Sequence, residues 1–185
     1  MTTEEKLNHD LLTAAESGDL KKVKSSLELG AFMECRDENQ HTPLFNATIN
    51  GHLPIVKYLV GKNADINAQS STSYYPTVLH AAVLSRQLEV AKYLIANNVE
   101  VDACDTSGMT SLHHSCYSKD LEVVKLLVEN HADVNAKDSE DRTPVLMAVS
   151  LDGLSGNFNF NIFLLQMFTH IMTNVVKTVS VKQIN

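Results

Sequence analysis

Eight histidines and three cysteines are the side chains of this 185-residue sequence best suited to chemistry. His113 and His114 stand near Cys104 and Cys116, which together are the donor types that zinc takes. Neighbouring residues on a helix point about 100° apart, however, so a His-His pair is badly placed to share one ion. The cysteines (Cys35, Cys104 and Cys116) have no CxxC spacing and make no even disulfide framework. A glycine-rich phosphate loop, an HExxH zinc motif, a GxSxG nucleophile elbow and paired carboxylates in a recognisable frame are all missing from the sequence. The expectation is a protein with no catalytic residue, no metal ligand and no cofactor, and hence no enzyme.

Bulk chemistry narrows the partners. A formal charge of −7 without a basic stripe argues against nucleic acid, which needs a clustered positive face. The acidic balance favours solubility and would suit a basic partner. The opening MTTEEKLNHD is polar and acidic rather than a secretory signal, so a reducing cytoplasmic or nuclear setting is expected. Asn46-Ala47-Thr48 spells a glycosylation sequon, read as chance in such a chain. Hydrophobic residues make up 44% and aromatics 6%, with no Trp, so the core must be built from Leu, Val, Ile and Ala. That composition suits small, closely stacked helices better than a large ligand cavity.

The elements that would position these residues recur. Thr42, Thr77, Thr110 and Thr143 stand 35, 33 and 33 residues apart, and Ala64-Asp65-Ile66-Asn67-Ala68 returns as Ala132-Asp133-Val134-Asn135-Ala136. Thr42 and Thr143 can cap a helix, with Pro43 and Pro144 pre-set at its first position. Ile55, Val56, Leu59 and Val60 recur as Val123, Val124, Leu127 and Val128, the apolar stripe of a helix packed on one side. Gly30 ends its helix in the left-handed position, and Asn63, Asn98 and His131 take the matching place. No such unit buries its stripe alone, so the units must stack.

Thr42-Pro43-Leu44-Phe45, Thr77-Val78-Leu79-His80-Ala81-Ala82 and Thr110-Ser111-Leu112-His113 resemble the helix-opening motif of ankyrin repeats. The resemblance runs from about Leu11 to Ala148. It implies an all-α ankyrin-repeat solenoid of stacked helix-turn-helix units with β-turn tips. Repeats are expected at about 8–36, 37–69, 70–104 and 105–137, with a partial one at 138–152. Phe45 and Leu146 depart from the motif, which prefers His, and two extra residues lengthen the tip before Thr77.

The resemblance implies a non-catalytic protein that grips partners on a concave face lined by its tips and the exposed face of its first helices. Carried over by register, the partner-binding residues are Glu38, Asn39, His41, Tyr74, Tyr75, Met109 and Arg142 on the tips. The first helices add Ile49, Asn50, Leu84, Ser85, Tyr117 and Ser118. Tyr75, Leu84, Met109 and Tyr117 are the strongest candidates, because aromatic and Met side chains are enriched at interface centres. The implied function is an adaptor or inhibitor that holds a protein partner and is a monomer on its own. His80 and His113, by the same resemblance, brace the turn. Leu59–Asn67 and Leu127–Asn135 also resemble ankyrin segments that asparaginyl hydroxylases modify, although a plain turn-stabilising role is the favoured reading of these asparagines.

From Gly153 onward the sequence changes character. Residues 1–152 hold all 22 acids and 13 of the 15 bases, a balance of −9, against +2 in the tail. Ile162, Leu165, Phe168, Met172, Val175 and Val179 follow helical spacing. Residues 153–185 therefore read as a divergent capping helix, a non-native or disordered end, or, as an alternative function, a tether to a larger assembly or to a membrane. The membrane is disfavoured by the polar residues that interrupt the stretch.

Overall fold

The computed structural model of the chain describes residues 2–70, 75–150, 165–167, 169 and 173. It divides into two units, Met1–Glu100 and Val101–Asn185. The first carries three helix pairs: α1 (Thr3–Ser17) with α2 (Leu20–Glu28), α3 (Pro43–Ile49) with α4 (Leu53–Gly61), and α5 (Val78–Leu84) with α6 (Leu88–Ala96). The second carries α7 (Ser111–Tyr117) with α8 (Leu121–Glu129), followed by α9 (Pro144–Ser150). The class is all-α; among the described residues, β pairing is limited to the isolated bridges Gln69–Thr77 and Cys104–Thr110, where a tip closes on itself.

The motif threonines start the helices. Thr42 Oγ1 accepts from the Phe45 amide at 3.4 Å and Thr77 Oγ1 from the His80 amide at 3.2 Å, each satisfying a donor that the helix leaves free. The expected stripe is buried in full on α8, as Val123, Val124, Leu127 and Val128, and on α4 as Ile55, Val56 and Leu59, whereas Val60 is only half-buried. The first helices are buried on more sides. Ala81 and Ala82 of α5 have no exposed surface, and their small side chains let neighbouring helices approach closely.

Chain reversals set a second periodicity, of left-handed residues. After the second helices come Gly30, Asn63, Asn98 and His131, with φ of 99°, 64°, 62° and 65°. Between first and second helices come Gly18, Gly51, Arg86 and Lys119, again with positive φ. Only the first two of that set are glycine, so Arg86 and Lys119 hold a conformation that costs an L-residue about 1–2 kcal/mol. Arg86→Gly is expected to stabilise the protein by about 0.5–1 kcal/mol, because the greater freedom of unfolded glycine offsets part of the relief. Urea denaturation tests this, and any destabilisation contradicts it.

Side chains join successive repeats within each unit. In the first, Glu34 Oε1 accepts from the Asp65 amide (3.0 Å) and Asn67 Oδ1 from the Glu100 amide (2.8 Å). In the second, Asp102 Oδ1 accepts from the Asp133 amide at 2.9 Å. Asn67 thus takes the turn-stabilising role expected of it.

In the tail, Ile162, Phe168, Met172, Val175 and Val179 lie outside the described residues. Leu165 is 67% exposed, whereas Met167, which the predicted stripe omits, is fully buried with its sulfur 3.7 Å from Cys116 Sγ. The contact at this point is made from a different face than the spacing suggested. Among the described residues, no helix is long and apolar enough to cross a membrane.

Candidate functional site

Three of the tips are each organised by an aspartate. Asp37 Oδ1 accepts from the Asn39 and His41 amides, Asp105 Oδ1 from the Ser107 and Met109 amides, and Asp138 Oδ1 from the Glu140 and Arg142 amides, all at 2.8–2.9 Å. This is an Asx-turn repeated with the period of the fold. The second oxygen ties the turn down: Asp37 to Asn46 Nδ2 (3.1 Å), Asp105 to His114 Nε2 (2.9 Å), Asp138 to Arg142 Nε (2.8 Å). Burial pushes the Asp105 carboxyl upward, but the hydrogen bonds from His114, Met109 and Ser107 outweigh it and hold the group below its ordinary value. Sequence reasoning missed these residues as organisers, although 37, 105 and 138 fall 68 and 33 residues apart in the register of the threonines.

The chemically suggestive side chains are committed to the frame. His113 is fully buried; its Nδ1 accepts from the Thr110 amide at 3.1 Å, and its Nε2 faces the Arg142 carbonyl at 3.0 Å. An amide can only donate and a carbonyl can only accept. The proton therefore sits on Nε2 and the ring is neutral. Thr77 Oγ1 lies 2.8 Å from His80 Nδ1, the same bracing in the first unit. His114 turns to Asp105, away from its neighbour. Cys116 is buried, which raises its thiol to about 12, far from the thiolate that a nucleophile or ligand requires. Asn46 of the sequon is buried with its amide on Asp37.

The residues expected to meet a partner divide into three groups. Glu38, Asn39, Asn50, Tyr117 and Ser118 are exposed, Tyr117 by 50%. Ile49, Tyr75, Leu84, Ser85, Met109 and Arg142 are half-buried, so the expected free exposure of Tyr75, Leu84 and Met109 is corrected to partial exposure. His41 is the clear departure. It is 7% exposed, stacked on Phe45 with ring centroids 5.2 Å apart, and the Tyr75 ring lies 6.3 Å away. Phe45 occupies the motif's histidine position and draws His41 inward as its apolar cover. Arg142 spends its guanidinium on Asp138 and Glu140, at 2.8 and 2.9 Å. Tyr74 lies outside the described residues.

Capped helix pairs, Asx-organised tips and histidine braces in one register define a repeat scaffold that presents loop and helix-end side chains. The family description "Ankyrin repeats (3 copies)" matches residues 11–105 and again 79–174, and the chain belongs to the ankyrin-repeat family. It is similar to ankyrin repeat domain-containing protein 49 of Homo sapiens, 42% identical over 59 residues covering 31% of this chain and 25% of that protein. The putative ankyrin repeat protein YahD of Escherichia coli is 34% identical over 70 residues, covering 38% of this chain and 35% of that one. The match thus spans about a third or less of each relative's length. Ankyrin repeats are in general modules of protein–protein interaction and not enzymes.

Proposed function

We propose that this chain is a non-catalytic binding module, an adaptor or inhibitor that holds a protein partner on its tips and on the solvent-facing ends of its first helices. One contrast carries the reading. The groups that could do chemistry, His113, His114, Asp105 and Cys116, are spent on internal bonds or buried, while Tyr75, Leu84, Met109 and Tyr117 keep apolar surface toward solvent. Tyr and Met in such positions supply contact area at interface centres. A reducing cytoplasmic or nuclear setting, in which Cys35, Cys104 and Cys116 stay free thiols, belongs to the same reading.

The test is affinity capture with mass spectrometry. It compares the full chain with a variant carrying Tyr75→Ala, Leu84→Ala, Met109→Ala and Tyr117→Ala, its fold checked by circular dichroism. A partner retained by the first is expected to fall at least about tenfold on the second, the effect of losing one hot spot of about 1.4 kcal/mol or more. A partner that binds both equally overturns the assignment of these residues, and a turnover intrinsic to the chain overturns the non-catalytic reading.

A further inference from the structure

The first unit holds an open groove of about 630 Å³ between α1 and the tip that follows α2. Its apolar lining is Leu12, Phe32 and Cys35; Phe32 is 59% exposed, a large aromatic surface left in water. Phe32 is fixed where it stands, because its amide donates to Asn8 Oδ1 of α1 at 2.7 Å. Burial raises the Cys35 thiol to about 11, so it remains a neutral, weakly polar part of the lining.

The rim is acidic. Glu5 and Glu16 stand on α1, and Glu38 on the tip. Arg36 also lines the groove and keeps its positive charge, with Nη1 on the Gln40 and Gln69 carbonyls, both at 2.7 Å, but Glu5, Glu16, Asp37 and Glu38 outnumber it. Asp37 is occupied by its own turn. Glu16 and Glu38 are exposed. Eleven residues separate Glu5 from Glu16 along α1, about 16 Å at helical rise and about five residues of extended chain.

We infer that this groove receives a short, extended, basic segment of a partner protein, with an apolar side chain against Phe32 and Leu12 and flanking Lys or Arg residues on Glu16 and Glu38. The inference rests on the protein-binding reading above and adds the partner's chemistry. Charge complementarity selects the occupant: an acidic segment would meet like charge on both sides of the apolar floor, and a neutral one would offer Glu16 and Glu38 no countercharge.

Selection from a random peptide display library on the full chain tests it. Affinities of the selected peptides are then measured by fluorescence anisotropy at low and high salt. The selected sequences are expected to carry Lys or Arg around one apolar residue and to weaken with salt. They should lose at least tenfold in affinity on a Glu16→Lys, Glu38→Lys variant and on Phe32→Ala. Binding to the Tyr75, Leu84, Met109, Tyr117 variant should be retained. Selection of acidic or neutral peptides, or basic ones indifferent to both groove variants, overturns the groove assignment. Peptides that instead depend on the Tyr75 set overturn it too, while leaving the protein-binding reading in place. If no peptide is enriched, the groove assignment fails, and the capture experiment alone decides the broader reading.

Discussion

Phe45→Ala is expected to cost about 3–5 kcal/mol of stability, the range for removing a fully buried aromatic side chain. The ring has no exposed surface and stacks at 10° on His41. Its removal strips apolar cover from a helix of only seven residues, Pro43–Ile49, whose stability must come from packing rather than from its own length. It also frees His41, whose imidazole burial disfavours the charged form despite Asp37 and Asn46 nearby. Phe45→His should cost less than Phe45→Ala, because it restores the motif residue and Thr42 stands ready to bond it as Thr77 bonds His80. Chemical denaturation of the three proteins checks the order. A loss below about 1 kcal/mol for Phe45→Ala would mean that the site collapses to fill the space.

The fold was legible because repetition turns weak local signals into strong ones. One threonine before one apolar run says little, whereas Thr42, Thr77 and Thr110 in a common register locate three helix starts. Asn63, Asn98 and His131 were readable as left-handed residues only because Gly30 marks the same register position. Exposure was harder to read. Whether a tip residue meets solvent depends on which neighbouring side chain leans over it, and no periodicity contains that. His41 was read as a tip residue facing a partner, but the phenylalanine at position 45 gives it an aromatic face to lie on.

The tip aspartates fall between these cases. Their register was present in the sequence, yet the third repeat breaks it: Gln69–Thr77 contains no acid and carries the two-residue insertion. A pattern with one member missing looks like surface charge. The groove lining was invisible for a related reason. Phe32 lies in the linker after α2, where neither helical period nor motif applies, and its role emerges only when α1 is placed beside it.

His113 carries the second large effect, and its size depends on pH. His113→Ala removes the acceptor of the Thr110 amide and the donor to the Arg142 carbonyl in a buried site, at about 1–3 kcal/mol for each group left unsatisfied. With the lost packing, a cost of about 3–5 kcal/mol is expected near neutral pH. Burial is the main cause that holds the His113 pKa below its ordinary 6.5, with the Arg142 carbonyl and Asp138 opposing it. Protonation would also turn Nδ1 into a donor, so the Thr110 amide would lose its acceptor and only Thr110 Oγ1, 3.0 Å away, could receive the new proton. The folded protein therefore resists a proton that the unfolded chain accepts. The contribution is complete above about pH 6.5, declines as pH falls through that value, and levels off below the folded-state pKa. The stability gap between the native protein and His113→Ala should accordingly narrow between about pH 7.5 and pH 5. His41 shifts in the same direction, so the variant retains part of the native slope, and a further His41→Ala change should remove more of it. Denaturant titrations at the two pH values measure the gap. A gap that widens in acid would mean that His113 is charged in the fold, and would overturn the assignment of its proton to Nε2 alone.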